Sequence, residues 1–167
     1  KTAMLSTVVN RIDGVDLPTK LTTQQPDYLH VFFDRCVAAG VEWVVMEVAA
    51  QAFSLHRVAG LEFDVALFTN FSKEHGEFYT TMDEYFSAKC QIIDQLKSGA
   101  FLFLNQDDTP VAQLATRYQN SILFTTEHSY SCPALIGSFN AYNIAVATAI
   151  AQSIGCSSDA IQQALDT

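Results

Sequence analysis

One lysine lies among apolar residues on what the spacing predicts to be a single face of a helix. Between Thr81 and Gly99, seven residues recur at helical spacing: Met82, Tyr85, Phe86, Lys89, Ile92, Ile93 and Leu96. A buried ammonium is costly unless paired, so burial would lower the pKa of Lys89 and favour the neutral amine. A neutral amine is a nucleophile, and carbon dioxide can convert it to an anionic carbamate. The alternative is a long apolar stem whose ammonium reaches water.

Signals at both ends of this segment predict a helix over 81–99. Thr81 and Glu84 form a T-x-x-E capping box, in which each side chain accepts a hydrogen bond from the other residue's backbone N–H. Gly99 is suited to end the helix. We therefore expect Lys89 to be buried in the middle of a helix.

Polar residues follow two predicted buried strands. Glu47 ends the valine-rich run EWVVMEV, Asn70 ends DVALFTN, and His75 lies in the loop beyond. Ligands collect outside the carboxyl ends of parallel strands, so we expect Glu47, His75 and Lys89 to converge there as catalytic and metal-binding residues. Glu47 and His75 could hold Mg²⁺, and a carbamate on Lys89 would add two oxygen ligands. The simpler alternatives are a solvated glutamate and an exposed loop histidine.

The elements that must position these residues alternate along the chain. Strands are predicted over 3–9, 15–17, 42–48, 64–70, 100–105 and 121–126, with an extended piece near 134–136. Helices are predicted over 26–39, 53–58, 81–99, 108–118, 140–154 and 159–166, the last capped by Ser158. The apolar run over 42–48 is typical of a strand buried on both faces. The alternation predicts an α/β fold with a mostly parallel sheet flanked by helices.

Composition limits the classes of partner. The chain has 167 residues, enough for one domain, with 49% hydrophobic and 16% charged residues. Its net charge of −9 argues against nucleic acid or an anionic membrane surface as a partner. No apolar run approaches the roughly 20 residues of a membrane span, and we find no charged-then-apolar pattern to interpret as a signal peptide. We expect a cytoplasmic monomer with four reduced, mostly buried thiols, at Cys36, Cys90, Cys132 and Cys156.

A phosphate-binding loop is not found in the sequence. The seven glycines never come close enough to form G-x-x-x-x-G-K-[ST] or G-x-G-x-x-G. The chain begins with lysine, and its last residue directly follows a helical pattern. We expect a piece of a longer protein, in which nucleotide chemistry would need a phosphate loop from outside this chain.

Several segments resemble the central domain of the Mur ligase family. The main one is MEVAAQAFSLHRVAGLEFDVALFTNFSKEHGEFYTTMDEYFSAK at 46–89. TAMLSTV, LTT, NQDD and GSFNAYNIAVA resemble further family elements, so the likeness covers nearly the whole chain, most closely in the UDP-N-acetylmuramoyl-tripeptide synthetase branch. It implies that 1–167 is a Mur ligase central, ATP-binding domain. Its fold would be like that of the P-loop NTPases, incomplete at the N-terminus.

The resemblance implies an ATP-dependent amide ligase of peptidoglycan synthesis. Such an enzyme adds the third amino acid to a UDP-muramoyl dipeptide through an acyl phosphate, so the partners would be ATP, a UDP-muramoyl peptide and an amino acid. By position, Glu47 and His75 would hold Mg²⁺, and a carbamylated Lys89 would support a second metal ion. The remaining matched positions are Thr22, Thr23, Arg57 and Asn70 for the UDP-muramoyl substrate, and Asn140 and Asn143 for the adenine of ATP.

Some positions depart from the family pattern and leave alternatives open. Ala49-Ala50-Gln51 replaces Ser-Ser-His, and Leu55 replaces a glutamine that can bind substrate. Lys73-Glu74-His75 replaces Arg-Asp-His, and Tyr79 replaces a histidine. The alternatives are a related ligase of another substrate, similar to folylpolyglutamate or cyanophycin synthetase, and a non-catalytic relative that binds a UDP-sugar.

Overall fold

The computed structural model describes residues 1–72, 78–127, 130, 132–135 and 137–166. Among these, the chain forms two compact units, one containing 1–61 and 78–91 and the other 62–72 and 92–166. The assignment of 1–167 to one domain stays a prediction. In the described ranges, no helix is long and apolar enough to cross a membrane.

The first unit is built on a mixed sheet. Its strands are β1 (Thr2–Leu5), β2 (Asn10–Ile12), β3 (Val15–Leu17) and β4 (Trp43–Met46), in the order β3-β2-β1-β4. β1 and β4 are parallel, whereas β1, β2 and β3 form antiparallel pairs. The unit also contains α1 (Pro26–Ala38), α2 (Ala50–Ser54) and most of α3 (Met82–Asp94), as far as Gln91. The strand predicted over 3–9 is therefore too long, because the chain turns after Leu5 and returns as β2.

The second unit is built on a parallel sheet. β5 (Phe63–Phe68), β6 (Leu96–Asn105) and β7 (Ser121–Phe124) lie in that order. Its helices are α4 (Thr109–Ala112), a 3₁₀ turn (Gln113–Thr116), α5 (Ser138–Ser153) and α6 (Ser158–Leu165). Phe103 and Phe124 of this sheet pack with Val146 of α5 in a buried cluster. The predicted α/β class, with parallel strands flanked by helices, is confirmed.

β4 departs from the prediction of a strand buried on both faces. Trp43, Val44 and Val45 are 46%, 37% and 68% exposed. β4 is at the edge of its sheet and pairs with β1 alone among the described strands. A continuous apolar run shows that a strand can tolerate burial, but only its neighbours provide that burial.

Several predicted ends of helices and strands also differ from those in the structure. α3 ends at Asp94 and not near Gly99, because Leu96 already belongs to β6, where it pairs with Phe63 of β5. Gly99 lies inside β6 with a φ of 82°. α2 starts before the helix predicted over 53–58, and the helix predicted over 108–118 is α4 followed by the 3₁₀ turn. Residues 133–135 form a turn, not an extended piece, and Ile136 lies outside the described residues. The cap of α6 is Ser157, whose hydroxyl accepts from the Ala160 N–H.

The capping box of α3 is confirmed. The Thr81 hydroxyl accepts from the Glu84 N–H at 3.1 Å, and the Glu84 carboxylate accepts from the Thr81 N–H at 3.1 Å. The same carboxylate accepts from the Thr80 N–H. The four cysteines are free; Cys36 and Cys90 are buried, Cys132 is half-buried and Cys156 is exposed.

Replacing Thr81 by alanine removes one acceptor from this box. We expect the free energy of unfolding to fall by about 1 kcal/mol, because the Glu84 N–H loses its partner. Urea unfolding followed by circular dichroism measures the change. Thr80→Ala is the matched control, since Thr80 contributes only its backbone to the box and should change stability by less than about 0.5 kcal/mol. Equal losses in the two variants would contradict the capping role of Thr81.

Candidate functional site

In the first unit, Glu47 lies just beyond the carboxyl ends of two parallel strands. The pairing of Leu5 with Met46 ends β1 and β4 side by side, and the Glu47 N–H donates to the Leu5 carbonyl at 2.9 Å. The exposed Glu47 side chain reaches Thr7, in the loop after β1. Its Oε2 accepts from the Thr7 N–H at 2.6 Å and from the Thr7 hydroxyl at 2.9 Å. The Thr7 hydroxyl is also 3.1 Å from the hydroxyl of Thr22.

Thr23 connects this strand end to the start of α2. It is 1% exposed, and its hydroxyl donates to the Glu47 carbonyl at 3.0 Å and accepts from the Ala49 N–H at 2.9 Å. A buried hydroxyl must find partners, and here both partners are backbone groups of the segment that leads from β4 to α2. Thr23 therefore fixes the direction in which the chain leaves the sheet.

Arg57 is directed to the same cluster by a turn at the end of α2. His56 adopts the left-handed conformation, with a φ of 55°, and the Arg57 N–H donates back to the Ala52 carbonyl at 2.8 Å. The Arg57 guanidinium donates through Nη1 to the Thr23 carbonyl at 3.1 Å. Its Nε is buried and has no hydrogen-bond partner among the described residues. A buried guanidinium N–H without a partner is unfavourable by itself and suits an anionic ligand.

Lys89 is half-buried, so the prediction of a fully buried lysine is wrong. Its ammonium lies 5.2 Å from the centre of the Tyr85 ring, where a cation is attracted by the π-electrons. Tyr85 is buried and contacts Tyr79, whose hydroxyl is 2.9 Å from the hydroxyl of Ser54 at the end of α2. The long stem can pack on apolar surface while the ammonium avoids full burial.

The expected convergence of Glu47, His75 and Lys89 is not established. His75 lies outside the described residues. Within the described part of the chain, Glu47 and Lys89 form no ion pair, and no group of three His, Cys, Asp or Glu side chains is arranged to hold a metal ion. The structure does bring Glu47 together with Thr22, Thr23 and Arg57, which the sequence analysis assigned to substrate binding.

Glu47 by itself fits a magnesium ligand. Its side chain is exposed, and its Oε1 accepts no hydrogen bond from the described residues. Mg²⁺ retains several water ligands and is usually held by one or two carboxylates together with substrate phosphates. One carboxylate oxygen without a hydrogen bond is therefore a suitable single ligand for Mg²⁺. Lys89 fits only as a carbamate, because an ammonium offers no lone pair.

The second unit contains a polar cleft of about 470 Å³ at the carboxyl end of its sheet. Its lining includes the predicted site residues Asn70 and Asn143, and Asn143 donates to Asn140 at 3.3 Å. The other lining residues are Thr69, Asn105, Asp107, Asp108, Ser138, Phe139 and Tyr142. The cleft therefore combines carboxamides and carboxylates with two aromatic rings.

Two side chains build the floor of this cleft. Asn105 is 6% exposed; it donates to the Thr69 carbonyl at 2.7 Å and accepts from the Asp107 N–H at 2.9 Å. Asp108 caps α4 by accepting from the Val111 N–H, and it accepts from the Phe71 N–H at 2.6 Å. These bonds join the end of β6 to the segment after β5.

Tyr142 of α5 closes the other side of the cleft by donating to Asp107 at 2.8 Å. The hydrogen bond to this carboxylate, followed by desolvation and the carboxylate's charge, raises the pKa of the Tyr142 phenol. No role was predicted for Thr7, Asp107 or Tyr142. Thr7 lies inside the strand predicted over 3–9 and gives no signal of its own, whereas the paired acids of NQDD are a signal for Asp107.

The Tyr142 bond gives a prediction for pH dependence. Asp107→Asn should lower the pKa of Tyr142 towards the ordinary tyrosine value, because a neutral amide does not oppose formation of tyrosinate. Carbon NMR titration of ring-labelled tyrosine measures it, with Tyr142→Phe to assign the signal. Because the folded-state pKa is raised, the bond stabilises the fold below the ordinary tyrosine pKa, and this contribution disappears as the pH rises through the folded value. An unchanged pKa in Asp107→Asn would contradict the assignment.

The sequence is similar to several ligases, which match between 53% and 99% of this chain. A ligase of Parabacteroides distasonis is 41% identical over 108 residues, which cover 65% of this chain and 22% of the relative. One of Corynebacterium glutamicum is 52% identical over 89 residues, covering 53% and 17%. One of Geobacillus kaustophilus is 30% identical, covering 99% and 40%. Each is named UDP-N-acetylmuramoyl-L-alanyl-D-glutamate–2,6-diaminopimelate ligase, and the chain spans less than half of the length of each.

A comparison of folds and a comparison with family models give results consistent with these relatives. A solved structure of a ligase with the same name superposes with a TM-score of 0.71 over 97% of this chain and 39% of that protein. Its sequence identity of 20% shows a shared fold alone. The Mur ligase middle domain family matches residues 1–132. The chain therefore belongs to the Mur ligase middle domain family.

Proposed function

We propose that this chain is the central part of an ATP-dependent amide ligase that adds the third amino acid to a UDP-N-acetylmuramoyl dipeptide. The observation that carries this proposal is the cluster of Glu47, Thr22, Thr23 and Arg57 at one strand end. Family membership and the names of the relatives support it, and those names favour 2,6-diaminopimelate as the amino acid. Because the relatives are much longer, the phosphate loop and the amino-acid site would be supplied by other parts of the complete protein.

The reaction consists of two displacements. A carboxylate oxygen of the muramoyl peptide attacks the γ-phosphorus of ATP, and ADP leaves. The amine of the amino acid then attacks the acyl carbon, the carbon–oxygen bond to phosphate breaks, and the amine loses a proton. Little covalent chemistry is required of the protein, so its main tasks are to position the reactants and neutralise their charge. ATP and UDP-linked precursors are cytoplasmic compounds, so the proposal implies a cytoplasmic enzyme.

The first unit would hold the muramoyl substrate. Arg57 has an unused Nε–H that can donate to an anionic group, and the carbonyl of Thr23 fixes the guanidinium in place. Thr22 adds a hydroxyl beside the same cluster. We keep for Asn70 the substrate-binding role that its matched position implies.

We assign the carboxamides of Asn140 and Asn143 to the adenine of ATP. A carboxamide both donates and accepts hydrogen bonds, as does the edge of adenine. Asn143 lines the cleft in the second unit, and its bond to Asn140 orients both groups. The aromatic rings of that cleft add flat apolar surface suited to a purine.

Glu47, His75 and Lys89 would hold magnesium and complete the catalytic site. Magnesium would neutralise phosphate charge during the transfer. We propose that the Lys89 amine, once it has lost its proton, attacks carbon dioxide and releases a second proton, giving a carbamate with two oxygen ligands. The half-buried position beside Tyr85 supports this role by shielding one side of the amine from water.

The proposal is tested with the complete protein that carries this chain. ADP release is measured with ATP, UDP-muramoyl-alanyl-glutamate and 2,6-diaminopimelate, and each is omitted in turn. We expect release only with all three present, and slower release with lysine in place of 2,6-diaminopimelate. Turnover with pteroyl-glutamate instead would indicate a related ligase. Binding of the UDP-sugar without turnover would indicate a non-catalytic relative, for which the replacement of Ser-Ser-His by Ala49-Ala50-Gln51 after Glu47 gives a reason.

The role of Lys89 gives a separate prediction. In the complete ligase, Lys89→Ala should lower kcat by about a hundredfold or more, because the metal ligands lose their support. Added short carboxylates should restore part of the rate by replacing the carbamate. Lys97→Ala is the control, since Lys97 is exposed and pairs with Asp64 at 2.9 Å. An unchanged rate in Lys89→Ala would refute the metal-support role.

A further inference from the structure

We propose that Thr7 is a positioning residue for Glu47. It holds the Glu47 carboxylate so that one carboxylate oxygen, Oε1, faces a divalent cation. This inference rests on the proposed function. It concerns a residue of the loop after β1, which is exposed and lies two positions beyond the strand.

Two donors from one residue converge on one carboxylate oxygen. The Thr7 N–H and hydroxyl lie 2.6 Å and 2.9 Å from Oε2 of Glu47. A carboxylate oxygen has two lone pairs, so these two bonds use the hydrogen-bonding capacity of Oε2. Hydrogen bonds to a carboxylate are stronger than those between neutral groups, which holds the side chain in one orientation. Among the described residues, Oε1 has no such bond, so it is the oxygen open to a ligand.

The same hydroxyl links Glu47 to a proposed substrate residue. Thr7 has one hydroxyl proton, and the charged, closer Glu47 oxygen is the better acceptor for it. The Thr7 hydroxyl also has donor geometry towards the Thr22 hydroxyl at 3.1 Å, which is the longer of its two contacts. The orientation of Thr22 is thereby tied to that of the carboxylate.

This arrangement limits how Glu47 can bind a cation. A carboxylate with one oxygen occupied binds through the other, which is the usual arrangement for Mg²⁺. Without the Thr7 hydroxyl, the carboxylate can rotate, and ordering it again on binding costs affinity. Residues that orient a metal ligand typically contribute about 10- to 100-fold to metal affinity or activity.

The test uses Mn²⁺ alone as the probe and the complete ligase as the protein. Free Mn²⁺ is counted by electron paramagnetic resonance, and Glu47→Gln defines the binding that depends on this carboxylate. We expect Thr7→Val to weaken that binding about tenfold, because it retains shape and the N–H but loses the hydroxyl. Thr7→Ser restores a hydroxyl and should bind within about twofold of wild type. Thr2→Val makes the same replacement at an exposed position of β1 and should change nothing.

Kinetics separate positioning from a structural effect. In Thr7→Val, the Mg²⁺ concentration for half-maximal rate should rise about tenfold, whereas kcat at saturating Mg²⁺ and the melting temperature should stay unchanged. Unaltered Mn²⁺ binding in Thr7→Val, equal weakening in Thr7→Ser, or wild-type binding that does not depend on Glu47 would each overturn the inference. A wild-type protein without ligase activity would refute the proposed function, and the Mn²⁺ measurement would still decide the role of Thr7.

Discussion

The first unit's candidate site depends on the parallel pairing of β1 with β4. Leu5 opposite Met46 places Glu47, the residue after β4, beside the loop that contains Thr7. Side chains alternate between the two faces of a strand, so a shift of one residue in this pairing would direct Glu47 to the other face. The face on which Glu47 lies is therefore set by the backbone register of these two strands.

A buried hydroxyl then fixes the segment between β4 and α2. Thr23 holds backbone groups of Glu47 and Ala49, and its own carbonyl holds Arg57. Three sequence-distant segments thus meet at one residue that is almost completely buried. If Thr23 moved, the backbone groups of Glu47 and Ala49 that it bonds would lose their partners. Such a loss is costly in a buried position, so burial and hydrogen bonding together hold Thr23 in place.

The capping box was predicted correctly from the sequence, whereas the burial of Lys89 and β4 was not. The capping box at Thr81 needs only residues that are four or fewer apart, and it is present as predicted. The position of Glu47 at a strand end is indicated by an apolar run and its end. The burial of Lys89 and of β4 depends on which elements cover them, and a pattern within one segment contains no information about its neighbours. Gly99 misled for a related reason, since pairing of Leu96 with Phe63 ends α3 earlier.

The acidic residues of the two sites are used differently, and this difference separates their chemistry. Both carboxylate oxygens of Asp108 accept hydrogen bonds from backbone N–H groups, and Asp107 accepts one from the Tyr142 hydroxyl. These acids therefore mainly shape the cleft. The groups left to meet a ligand there include neutral carboxamides and aromatic rings, which suit an uncharged planar base. Glu47 instead keeps one oxygen open at an exposed strand end. Of these three carboxylates, Glu47 is thus the one that leaves an oxygen open to a cation, whereas Asp107 and Asp108 shape the surface of the second unit's cleft.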